Sequence, residues 1–153
     1  MTPEEKLAEL GLVLAKPGPP VGNFVPAVRT GNLVFVSGNG PRRADGALIV
    51  GKVGGQLSVE EGYEAAKLCA LSCLGGLASV IGDLSKVTRF VKLLGMVNCS
   101  EDFGDQPRVI NGASDLLVAV FGEAGKHARS AVGMQSLPFG MAVEVEMVVE
   151  VEG

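Results

Sequence analysis

Residues 127–153 read HARSAVGMQSLPFGMAVEVEMVVEVEG, and this stretch decides the fold. The spacing predicts a strand carrying Arg129, a turn at Leu137-Pro138, and a second strand through the glutamates. From Val143 to Met147 apolar and acidic residues alternate strictly, so one strand face is apolar and the other acidic. Arg129 stands among small and apolar residues, where a guanidinium needs an anionic partner or an exit to water. Two readings are open on residue type alone. Arg129 pairs across the strands with Glu144 or Glu146, or it grips the carboxylate of a substrate.

Working outward, the rest of the chain alternates strands and helices. Thr2-Pro3-Glu4-Glu5 is a capping box with proline at the first helical position, which predicts a short helix to Glu9 or Leu10, stopped at Gly11. Pro17-Gly18-Pro19-Pro20 breaks regular structure. Strands are expected at 22–29 and 33–37, joined at Thr30-Gly31-Asn32, with Pro26 marking an edge. Residues 47–53 predict a short third strand. Ser58-Val59-Glu60-Glu61 is a second capping box, opening a helix with apolar residues at Val59, Tyr63, Ala66, Ala70, Leu74, Leu77 and Ile81 and ending at Gly82. Lys86 to Val97 suits a central strand, and Asp105-Gln106-Pro107 starts another helix that aims Ile110, Leu117 and Phe121 at the core. The order implies an α+β domain with a mixed sheet and both long helices on one face. Residues 1–19 form a helix and linker, and 20–153 a single domain. The sheet's other face calls for cover, for which subunit association is the usual answer.

Composition excludes several function classes. The chain has 153 residues, 47% of them hydrophobic, with six Phe, one Tyr and no Trp, so its core is aliphatic. A net charge of −4 with scattered basic residues argues against nucleic-acid binding. Cys69, Cys73 and Cys99 lack ligand-like spacing, and His127 is the only histidine, so neither a disulfide framework nor a zinc site is expected. The N-terminus lacks a signal-like apolar core, and no apolar run approaching the ~20 residues of a membrane span stands out. A cytoplasmic protein without membrane contact is the expectation.

Ala128-Arg129-Ser130-Ala131-Val132, Leu137-Pro138 and Val143-Glu144-Val145-Glu146 together resemble the C-terminal signature of the Rid (YjgF/YER/UK) family. Val21-Gly22-Asn23-Phe24, Leu33-Val34-Phe35-Val36-Ser37-Gly38 and Ile110-Asn111 agree with it. The resemblance runs from about residue 20 to the C-terminus. It implies a chorismate-mutase-like homotrimer with pockets between subunits. It also implies hydrolytic deamination of 2-imino or 2-enamino acids to 2-keto acids and ammonia, with no metal or organic cofactor. By that similarity Arg129 binds the substrate carboxylate, Glu144 positions or activates water, and Ser37 and Asn111 line the pocket. Phe24 stands where deaminases of this type often have tyrosine, Ala131 where many have cysteine, and His127 where proline is common. His127 reads as a surface residue. A module that binds small carboxylates without turnover is the alternative, and a ribonuclease or translation inhibitor a third reading.

Overall fold

The structure is a computed structural model describing residues 1–153. Its elements are α1 (Pro3–Glu9), β1 (Ala27–Thr30), β2 (Leu33–Asn39), α2 (Val59–Ile81), β3 (Val87–Asn98), α3 (Gln106–Phe121), β4 (Ala128–Met134) and β5 (Val143–Val151). Both capping boxes form. The Thr2 and Ser58 hydroxyls accept from Glu5 N and Glu61 N, while the two glutamate side chains accept from the cap amides.

The five strands lie in the order β1-β2-β5-β3-β4. All neighbours are antiparallel except β3 and β4, which run parallel with α3 as the crossover between them. Thus β3 separates β4 from β5, although those two follow one another in sequence. β1 is an edge, as Pro26 suggests, but Pro26 precedes the strand, which starts only at Ala27. The expected strand at 47–53 does not form. Isolated bridges hold the segment instead: Arg42 with Leu48, Val50 with Met141, and Val53 with Leu57 and Cys99.

On β5, Val143, Val145, Met147, Val149 and Val151 are buried while Glu146 and Glu150 are exposed, the expected alternation. The buried row meets α2, where Cys69 and Cys73 donate their thiol hydrogens to Val143 O and Val145 O. Both thiols are fully buried, which raises their pKa values, that of Cys73 to about 12. α3 lies beside α2 over the same sheet face, with Ile110 seated on Gly95 of β3. The two helices touch backbone to side at Gly112, where any Cβ would strike the Tyr63 carbonyl. Phe121 closes the far end by packing edge-on to Phe90, ring centroids 4.7 Å apart.

α2 passes for a membrane-crossing helix by length and composition only, and Glu60, Glu61, Glu64 and Lys67 interrupt its apolar run. Its apolar character has a different use here, because it packs against the sheet on one side and α3 on another. α1 docks on the same body: Leu7 joins the core, and Glu4 accepts from Leu84 N at 2.9 Å.

Candidate functional site

The residues singled out from sequence fall into two groups, one on each face of the sheet. The first group lies on the open face. Glu144 sits on β5, in register with Met96 of β3, and is half-buried. Its carboxylate lies against the Cα of Gly38 on β2, in the space a side chain there would fill. Desolvation, reinforced by the neighbouring Glu146, raises the Glu144 pKa above the usual carboxylate range. Ser37, next to Gly38, donates from Oγ to Val25 O at 2.7 Å and from its amide to Pro26 O at 2.9 Å. These bonds lay Phe24 and Val25 beside the end of β2, with the Phe24 ring 49% exposed and lacking a hydroxyl. Glu144 and Gly38 therefore meet directly, with Ser37 next along β2 tied to the Val25 and Pro26 carbonyls.

The second group lies on the helix side of the β4 edge. Arg129 is in register with Leu93, which is buried toward the helices, and its guanidinium reaches α3. Nη1 donates to Ser114 Oγ at 3.0 Å and Nη2 to Pro107 O at 3.1 Å. His127 joins this network, with Nε2 2.9 Å from Ser114 Oγ and Nδ1 2.7 Å from Gly125 O. A carbonyl can only accept, so Nδ1 carries a hydrogen; in the neutral ring Nε2 then accepts from the Ser114 hydroxyl, whose lone pair receives Arg129. Asn111 falls between Pro107 and Ser114 on α3, at i+4 and i−3 spacing, with its amide exposed and free of hydrogen bonds within the chain.

Both acceptors of Arg129 are neutral. The ion pairs of the chain are Lys6–Glu9, Arg108–Asp105 and Lys126–Glu123, so the cross-strand pairing of Arg129 with Glu144 or Glu146 is not made. The sheet order explains why: β3 intervenes, and the guanidinium and the carboxylates leave opposite faces. Within one chain, Asn111 shares α3 with the Pro107 and Ser114 acceptors of Arg129 but lines the groove toward Tyr63 and Asp115, and Ser37 lies beside the Gly38–Glu144 contact, so the carboxylate and the guanidinium remain apart. Sequence reasoning missed Ser114 and treated His127 as surface, whereas His127 is half-buried and hydrogen-bonded at both nitrogens. The available signal was the position of His127 two residues before Arg129 on an extended segment, which can put both side chains on one face.

Residues 4–151 match the family model described as "YjgF/chorismate mutase-like, putative endoribonuclease". Protein TCP17 of Trypanosoma cruzi is 46% identical over 145 residues, covering 94% of this chain and 91% of that protein. Two crystal structures superpose over 99% of this chain. Protein Atu1372 of Agrobacterium tumefaciens, of unknown function, has 42% identity, a TM-score of 0.91 and 93% of its own chain covered. The structure named as a putative endoribonuclease of Shewanella oneidensis MR-1 has 32% identity, a TM-score of 0.94 and 100% covered. By motif, fold and these matches, the chain belongs to the YjgF/chorismate mutase-like family.

Proposed function

We propose that this protein hydrolyses 2-imino or 2-enamino acids to 2-keto acids and ammonia, in pockets formed between copies of the chain. The observation that carries this reading is the Arg129 guanidinium, held in place by neutral acceptors with no anionic partner. A guanidinium so held keeps unspent donors in a planar fork that matches a carboxylate. Because Glu144 leaves the opposite sheet face, one substrate meets both groups only if a second copy brings its Glu144 to the first copy's Arg129 edge. The open face supplies apolar surface for such an assembly through Val28, Phe35 and Val132, all exposed, and a homotrimer fits the family resemblance.

In this pocket Arg129 fixes the substrate carboxylate, with Asn111 one turn along α3 from its Ser114 support, and turns C2 of the protonated imine toward Glu144. Glu144 accepts a proton from water as its oxygen bonds to C2 and the C=N electron pair moves to nitrogen. The carboxyl then returns the proton to that nitrogen, the C–N bond breaks as the new C2 hydroxyl gives its proton to the Glu144 carboxylate, and ammonia leaves a 2-keto acid. A raised carboxyl pKa suits a group that must both take and give a proton. A net charge of −4 speaks against an RNA substrate despite the name carried by relatives.

The test generates 2-aminoacrylate with a pyridoxal-phosphate dehydratase and follows ammonia release. The expected result is acceleration by the intact protein and none by Arg129→Ala. Binding of 2-keto acids without acceleration would establish the carboxylate-binding module instead, a reading that Phe24, with its ring but no hydroxyl, favours.

A further inference from the structure

A cleft of about 1000 Å3 opens at the C-terminal ends of the parallel strands β3 and β4, the end of β4 opposite to Arg129. Neither Arg129 nor Glu144 lines it. Along β4 its wall begins at Gly133, four residues beyond Arg129, or roughly 13 Å at strand rise. Such a position, at the carboxyl ends of parallel strands, is where α/β units present ligand sites.

Lys52 is held in this cleft by a built support. Its Nζ donates to Asn98 Oδ1 at 2.9 Å and to the Gln135 main-chain oxygen. Asn98 is only 4% exposed, and its Nδ2 donates to Met141 O at 3.1 Å, which fixes the amide so that Oδ1 faces the lysine. The Lys52 backbone is fixed as well: its amide donates to Gln56 Oε1, and the next residue, Val53, exchanges main-chain bonds with Asn98 and Ser100 at the end of β3. A lysine side chain gives up most of its rotamer freedom when so held. Its acceptors are neutral, and it forms no ion pair. The cleft therefore holds an oriented cation that is not paired with an anion.

Other groups define what would fit. Glu101 lines the same cleft but makes no ion pair with Lys52, so an anionic and a cationic group stand apart within one concavity. Phe103 and Met134 supply apolar wall, and the Ser100 and Ser136 hydroxyls make no hydrogen bond within the chain. We infer that this cleft binds an apolar α-amino acid as its zwitterion. The carboxylate sits on Lys52, the ammonium toward Glu101, and the side chain against Phe103 and Met134. This site is separate from the Arg129 edge and does not depend on the deaminase reading.

Titration calorimetry on the full chain tests it, with L-leucine as probe and 4-methyl-2-oxopentanoate as the analogue lacking the ammonium group. Saturable L-leucine binding is expected, weakened about tenfold or more by Lys52→Gln, as for a lost charge-assisted bond. Arg129→Ala should leave it unchanged. Glu101→Gln, on the exposed rim, should weaken L-leucine and not the keto acid, and it serves as the second variant if Lys52→Gln lowers the melting temperature. No saturable L-leucine binding, binding indifferent to both Lys52→Gln and Glu101→Gln, or binding abolished by Arg129→Ala would overturn the assignment. The last outcome would place the ligand in the reaction pocket and leave the deaminase reading intact.

Discussion

The Glu144 carboxylate fills the space that a side chain on Gly38 would need. Gly38 does not have a left-handed φ, so alanine fits its backbone, and the obstacle is the movable end of a glutamate. Gly38→Ala should therefore displace the carboxylate while changing stability by no more than about 1 kcal/mol. Turnover of 2-aminoacrylate should fall by ~10²-fold, the lower range for a lost acid–base group. Ammonia release and thermal unfolding measured on one preparation check this. A variant with full activity would remove Glu144 from the chemistry.

Ionised Glu144 carries a stability cost. Its folded pKa is raised, chiefly by desolvation and then by Glu146. A carboxyl with a raised folded pKa contributes stability that is present below its unfolded value, near 4.5, and is lost as pH rises through the folded value. Glu144→Gln should thus melt higher than the parent at about pH 7, with the gap closing toward about pH 4. Its activity should be lost at every pH. Melting curves across that range decide it; equal curves at neutral pH would sink the idea.

Ser114 is expected to act on substrate through Arg129. Ser114→Ala removes one of the two bonds holding the guanidinium and leaves the Pro107 O contact. A net hydrogen bond of ~1 kcal/mol corresponds to about a fivefold rise in KM, with kcat little changed, because carboxylate binding is made in both ground and transition state. Ser114→Thr keeps the hydroxyl and should restore most of the loss. A fall in kcat at constant KM would show that Ser114 does something other than hold Arg129.

Sequence patterns expose local order better than they expose adjacency. α1 and α2 were legible because each capping box is a short-range reciprocal bond, complete within four residues. β5 was legible because its alternation reports burial on one face directly. Residues 47–53 misled because a short apolar run reads as a strand even when single bridges to scattered partners satisfy its backbone. The same limit applies to the site. Arg129 and Glu144 were identifiable as residues, but consecutive strands invite the assumption that they pair. The insertion of β3 separates the two strands, and the register, with Arg129 opposite Leu93 and Glu144 opposite Met96, sends their side chains to opposite faces. The Ser114–His127 contact likewise depends on α3 lying along β4, which no local spacing encodes.

Tyr63 offers a spectroscopic reading of the α2–α3 contact. Its hydroxyl donates to Asp115 Oδ2 at 2.7 Å, joining the two helices beside the close approach at Gly112. This bond to the aspartate, ahead of desolvation and charge repulsion, raises the phenol pKa to about 12. The chain has one tyrosine and no tryptophan, so alkaline absorbance near 295 nm reports this residue alone. The titration midpoint should lie near 12 in the folded protein and near 10 in denaturant. Asp115→Asn, which removes the charge, should move the folded value toward 10. By linkage, the bond's stabilisation is complete below about 10 and disappears as pH rises through about 12. Because the hydroxyl lies near solvent, its worth is that of an ordinary bond, about 0.5–1.5 kcal/mol in Tyr63→Phe. A folded midpoint that ignores Asp115→Asn would mean the two helices are not joined at this pair.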